Sequence, residues 1–150
     1  MACPYFMPTE KFENGSWPHP SRLPLGGGWR GYCTASGHEG ATPSEGVLEK
    51  FCNLGYAEGC TWAPLIRESD SVRFAVAAPS NSSKQAASGQ ANSLANSLQL
   101  HFVYERSHRP VANGDLEFDL SRSVWVRGHD DPRIQRMAEC FLESYLRKKP

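Results

Sequence analysis

The chain has no net charge: sixteen lysines and arginines balance sixteen aspartates and glutamates. Missing with it is the electrostatic footprint of a nucleic-acid binder, whose basic residues gather on one face to meet phosphates. The one basic cluster, Arg147-Lys148-Lys149, stands where a helix should end, and cations there complement the helix dipole. No apolar run is long enough to span a bilayer, and the start of the chain lacks the basic and apolar regions of a secretory signal. Membrane insertion and a lipoprotein anchor at Cys3 are therefore not expected, and the expected location is the cytoplasm. No nucleophile elbow, phosphate-binding glycine loop or zinc-protease motif occurs. Nor do any two cysteines form a Cys-x-x-Cys pair, the tight turn from which zinc ribbons and knuckles build each half of their tetrahedron.

What is present is a concentration of thiols. Four of the five cysteines, Cys3, Cys33, Cys52 and Cys60, fall in the first sixty residues, with twenty-nine, eighteen and seven residues between successive members. A reducing cytoplasm and an odd total argue against two structural disulfides. Four unrelated buried thiols would be a dense coincidence in so short a stretch, although cysteine does serve as a small hydrophobe. A shared metal centre is the stronger expectation. A cubane of four irons and four sulfides is larger than one zinc ion and draws its ligands from separated points, so wide spacing favours a 4Fe-4S cluster ligated by Cys3, Cys33, Cys52 and Cys60. Cys3-Pro4 adds weight, since proline follows a ligand in ferredoxin-type runs. Zinc is the alternative, with His38 as a possible replacement for one thiolate.

The intervening residues suit such a centre. Tyr5, Phe6, Trp29, Tyr32, Phe51, Tyr56 and Trp62 lie near the cysteines and can form a dry shell around them, or simply pack a core. Gly26-Gly27-Gly28, Arg30 and Gly31, just before Cys33, can offer backbone N–H groups to a negatively charged cluster, or form a turn.

At 150 residues the chain suits a single domain, and its expected fold class is α+β. Residues 1–65 read as an irregular lobe rich in Cys, Pro and Gly around the metal centre, with Trp17-Pro18-His19-Pro20 and Leu23-Pro24-Leu25 as a strap. Inside it, Thr42, Pro43 and Glu45 resemble a capping box opening a helix that Gly55 ends, with Leu48 and Cys52 one turn apart on its apolar stripe. Residues 66–128 alternate as four short strands: Val72, Phe74 and Val76; Leu98, Leu100, Phe102 and Tyr104; Leu116 and Phe118; Val124 and Val126. Asn113-Gly114 and Asp119 to Arg122 read as turns of an antiparallel meander, and residues 79–97, rich in Ser, Ala, Asn and Gln, as a mobile loop with a little helix near Leu94. Residues 130–148 form the closing helix, started by Asp131 and Pro132. Ile134, Met137, Ala138, Phe141, Leu142, Tyr145 and Leu146 make its apolar face, and Cys140 projects off that stripe, outside the quartet.

An acid–base site is the catalytic alternative: Glu105, His108, Asp115 and Glu117 cluster around one hairpin. His19, His101 and His129 read as loop, packed or surface residues. Cys3-Pro4-Tyr5-Phe6, Trp17-Pro18-His19-Pro20, Arg22 to Gly26, Leu54-Gly55-Tyr56-Ala57 and Glu105 to Pro110 resemble small bacterial four-cysteine proteins. The resemblance covers most of the chain and implies neither an activity nor a site. The leading expectation is thus an iron–sulfur protein, more a carrier than an enzyme, in electron transfer or redox sensing with a protein redox partner. A structural zinc-binding module for protein interaction is the alternative.

Overall fold

The structure is a computed structural model describing residues 2–12, 25, 27–54, 57–77 and 96–148. In chain order these form β1 (Phe6–Lys11), β2 (Trp29–Cys33), a single turn α1 (Glu45–Val47) running into a π-helical stretch (Leu48–Asn53), a 3₁₀ turn (Ala57–Gly59), β3 (Ser71–Val76), β4 (Ser97–Arg106), β5 (Arg109–Asp119), β6 (Val124–Arg127) and α2 (Pro132–Lys148). The architecture is α+β: a four-stranded antiparallel meander in the order β3-β4-β5-β6, and a separate antiparallel ribbon of β1 and β2.

β3, β4 and β5 follow the apolar alternation; in β6 Val124 and Val126 are exposed instead, and Trp125 between them packs on Phe118 with ring centroids 5.2 Å apart. Val72, Phe74, Leu98, Leu100, Phe102 and Leu116 are buried, in one core with Ile134, Met137, Ala138 and Leu142 of α2. Phe141 reaches Phe74 of β3 with ring centroids 6.0 Å apart. Asp131 caps α2 as its sequence suggests: its carboxylate accepts the Arg133 N–H at 2.9 Å, ahead of Pro132 in the first turn.

The turn between β4 and β5 is not at Asn113-Gly114. Ser107 and His108 make it, both with positive φ (51° and 64°), the pair of values a two-residue hairpin loop requires. Asn113 and Gly114 lie within β5, and Gly114 is glycine because a Cβ there would stand 2.5 Å from the Phe102 ring across the ladder. The Asp119 to Arg122 turn is where expected, its backbone N–H groups at Ser121 and Arg122 donating to the Asp119 carboxylate.

The N-terminal lobe is more regular than its composition suggests. β1 and β2 pair from Phe6–Cys33 to Lys11–Trp29, with an irregularity between Pro8 and Glu10. A proline cannot donate to a ladder, and a bulge at an edge is where it is tolerated; the prolines and the bulge break the alternation that would have announced the strand. Gly31 is required by the pairing itself, since a Cβ would fall 1.9 Å from the Met7 carbonyl oxygen.

One further expectation changes. The first helix begins after Ser44 rather than Thr42, and Ser44 makes no side-chain cap; after one α turn the chain widens into the π-helical stretch. Cys140, expected off the apolar stripe, is nevertheless fully buried. The physical reason is that α2 has two neighbours. Arg136 and Ser144, four residues to either side of Cys140, donate to the Pro8 carbonyl at 3.1 Å and the Leu25 carbonyl at 2.9 Å. A second stripe of the helix is therefore covered by the N-terminal lobe. The strap from Trp17 to Pro24, the helix stop at Gly55 and residues 79–95 of the expected 79–97 loop lie outside the described residues, while Ser97 already belongs to β4.

Candidate metal centre

Four segments bring the four thiols to one place. Ala2 is bridged to Val72 at the edge of β3 by two hydrogen bonds of 2.8 Å, which anchors the strand of chain carrying Cys3. Cys3 in turn donates its N–H to the Cys52 carbonyl at 3.1 Å. Cys33 ends β2, opposite Phe6. Cys52 sits in the π-helical stretch with Leu48, both buried, as their spacing of four predicts. Cys60 follows the 3₁₀ turn, held by its N–H to the Ala57 carbonyl at 3.0 Å.

Cys3, Cys33, Cys52 and Cys60 all line one small pocket, walled by Tyr5, Phe6, Phe51 and Trp62 and otherwise by Ala35, Pro43, Val47 and Ala63. Of the seven aromatic residues near the cysteines, those four line the thiol pocket, Trp29 is buried in the core, Tyr32 is half-buried in β2, and Tyr56 lies outside the described residues. Gly59 lets the chain pass Phe51, whose ring a Cβ would meet at 2.5 Å. All five cysteines are free thiols.

Burial in this apolar setting pushes the Cys3 thiol up to about 12, opposed by backbone N–H groups of Tyr5 and Phe6 and reinforced by Cys33 and Cys60. Cys52 is raised further, first by burial and then by the other three cysteines; Cys33 is raised by burial against the N–H groups of Ala35 and Thr34. The Ala35 N–H stands 3.3 Å from the Cys33 sulfur. The thiols are thus within electrostatic reach of one another, and together they would be poor thiolates unless a cation shared the site. Backbone donors already point at two of the sulfurs. They come from residues 5, 6, 34 and 35 rather than from Gly27, Gly28 or Gly31, and Gly26 lies outside the described residues.

Among the described residues, no three Cys, His, Asp or Glu side chains are disposed to hold a single metal ion. His38 is stacked on Trp62 with ring centroids 4.6 Å apart rather than turned to the pocket lining.

Two residues with no cysteine-like signature position the site. Asn53, buried beside Cys52, accepts the Trp29 N–H at 3.0 Å and donates to the carbonyls of Trp29 (3.0 Å) and Leu48 (2.8 Å), stitching the π-helical stretch to β2. Arg133 at the start of α2 donates to Thr34 Oγ1 at 2.9 Å and lies 5.5 Å over the Tyr5 ring, while Thr34 bonds the Tyr5 carbonyl at 2.7 Å. An isolated asparagine or arginine gives no sequence sign of such long-range partners.

The hairpin acids do not converge. Buried Glu105 meets Arg73 at 3.6 Å, His108 meets Glu58 at 3.7 Å, Asp115 meets His101 at 2.8 Å and Glu117 meets Arg127 at 3.8 Å, each at a different point of the sheet. His129 is part of the fold: it accepts the Asp131 N–H at 2.9 Å and contacts the Tyr104 hydroxyl at 2.9 Å. His19 lies outside the described residues. No helix among the described residues is long and apolar enough to cross a membrane. Comparison with protein-family models, with curated proteins and with solved structures gives no match.

Proposed function

We propose that the protein carries an iron–sulfur cluster of the 4Fe-4S type on Cys3, Cys33, Cys52 and Cys60 and moves single electrons, in electron transfer or redox sensing. One observation supports this reading: thiols from four distant segments line a single apolar pocket. The cluster's negative charge suits a site with N–H groups aimed at Cys3 and Cys33. Four thiolates occupy all four irons, which favours electron transfer over Lewis-acid catalysis, because the latter needs an open metal position. The cytoplasm, where thiols stay reduced, is the compartment that suits it.

Anaerobic purification tests the proposal. The expected protein is brown, with broad visible absorption, iron and acid-labile sulfide near four per chain, and a reduced-state electron paramagnetic resonance signal. Colourless protein with one zinc per chain would replace the cluster by a structural zinc module, and colourless metal-free protein would reject both.

A further inference from the structure

A second cavity, of about 390 Å³, adjoins the thiol pocket, and Tyr5 lines both. The Tyr5 backbone N–H is aimed at the Cys3 sulfur, while its phenol lies within electrostatic reach of Arg67, Arg133 and Glu68, all of which line the second cavity. The Tyr5 ring thus separates the thiols from this cavity. Tyr104, Val111 and Ile134 supply apolar wall, and the open side is edged by Ile66, which with its neighbour Leu65 is almost fully exposed.

The arginines bring no free charge to the cavity. Arg133 gives Nε and Nη2 to Asp131 and Nη1 to Thr34. Arg67 gives Nε to Asp70 and Nη1 to the Pro64 carbonyl at 2.8 Å, which leaves Nη2 without a partner among the described residues. Glu68 is acidic and exposed, so net charge does not favour an anion. Two hydroxyls are open as well. Those of Tyr5 and Ser69 have no hydrogen-bond partner among the described residues, and Ser69, which lines the cavity, is only 9 % exposed. A hydroxyl so buried is left to the contents of the cavity for its hydrogen bond.

We infer that this cavity binds a quinone, a neutral planar ring whose carbonyls accept from Tyr5, Ser69 and Arg67 and which takes electrons from the thiol-bound centre across the Tyr5 ring. The inference rests on the iron–sulfur reading and adds the substrate class to it. Acceptors on a flat apolar ring match the unused donors and apolar wall, and a quinone takes electrons singly, the unit in which a 4Fe-4S centre gives them. Two reduced centres, one quinone and two protons from water yield two oxidised centres and one hydroquinone, each C=O becoming C–OH.

Duroquinone serves as the probe, because its fully substituted ring leaves no C–H position for a thiol to attack. Iron and sulfide are measured first on each full-length protein. Binding is followed by equilibrium dialysis, and electron transfer by anaerobic bleaching or recovery of the visible spectrum in protein reduced with dithionite and desalted. One duroquinone is expected to bind per chain and, when limiting, to oxidise two centres. Ala112→Trp, which fills the cavity from an exposed position of β5, should weaken binding about tenfold or more, and Tyr5→Phe and Ser69→Ala about threefold to tenfold each, with oxidation rates falling in step. Tyr5→Phe keeps the ring that walls the thiol pocket, so its iron content should match the wild type. In iron-replete protein, absence of saturable binding, binding indifferent to all three substitutions, tighter binding of benzoate than of duroquinone, or bound duroquinone that leaves the centre reduced would each overturn the quinone site and leave the cluster standing. Protein without iron would overturn both.

Discussion

Cys52 and Asn53 are adjacent on the π-helical stretch but act on different things, and substitution separates them. Cys52→Ser should lower bound iron to below half its wild-type content, whereas Cys140→Ser, equally buried but facing the Pro8–Leu25 side of α2, should keep it; iron analysis on both checks this. Asn53→Ala strips partners from the Trp29 N–H and from two carbonyls in the core, so urea unfolding should show a loss of about 3 kcal/mol. Cys52 was legible in the sequence, because a thiol four residues after Leu48 on an apolar stripe faces inward whether the turn is α or slightly wider. Asn53 was not. Its three partners include Trp29, twenty-four residues earlier, and no local pattern records a contact of that range.

At the scale of elements, glycines and prolines meant different things in different places. Gly31 allows β1 to lie close against β2, so Gly31→Ala should cost about 3 kcal/mol through the clash with the Met7 carbonyl. Gly46 in α1 has open space around its Cβ position, and Gly46→Ala should stabilise by about 0.5–1 kcal/mol. Thermal unfolding of the pair reads both signs. The start of α2 adds a pH dependence. Hydrogen bonds from Arg133 hold the Asp131 carboxyl below its ordinary value of 3.8, so their contribution to stability is present at neutral pH and is lost as pH falls below that value toward the depressed one. Asp131→Asn keeps the capping oxygen but removes the charge; its melting temperature should fall less steeply with acid than that of the wild type. Most of the meander was readable from alternation because one face of β3, β4 and β5 is apolar; in β6 the alternation was read on the wrong face, since Val124 and Val126 are exposed and Trp125 packs inward. The β1–β2 ribbon was hidden by Pro8 and its bulge, and Asn113-Gly114 misled because Gly114 serves the Phe102 ring rather than a turn.

For the whole molecule, the described residues of the lobe share one apolar core with the sheet and α2 and are tied to them by Ala2 on Val72, by Arg133 on Thr34, and by Arg136 and Ser144 on the Pro8 and Leu25 carbonyls. A cluster bound to residues 3 through 60 would cross-link the lobe as a disulfide cross-links a loop, by restricting the unfolded chain. Stripping iron with an oxidant and chelator should therefore speed amide hydrogen exchange across 2–12 and 27–60, while β4 and β5, held by their own ladder and by α2, stay slow. Uniform loss of protection, or none, would count against the cluster as the lobe's tie.

The sequence by itself determined which donors are available, four soft thiols and no tight pair, and it determined the meander and α2, because burial of one face imposes a period on nearby residues. Only the tertiary structure decided that Cys3, Cys33, Cys52 and Cys60 line a common pocket, that α2 is covered on two sides, and that Leu65 and Ile66 are left bare. Those outcomes depend on contacts between residues tens of positions apart, and packing at that range leaves no periodic trace along the chain.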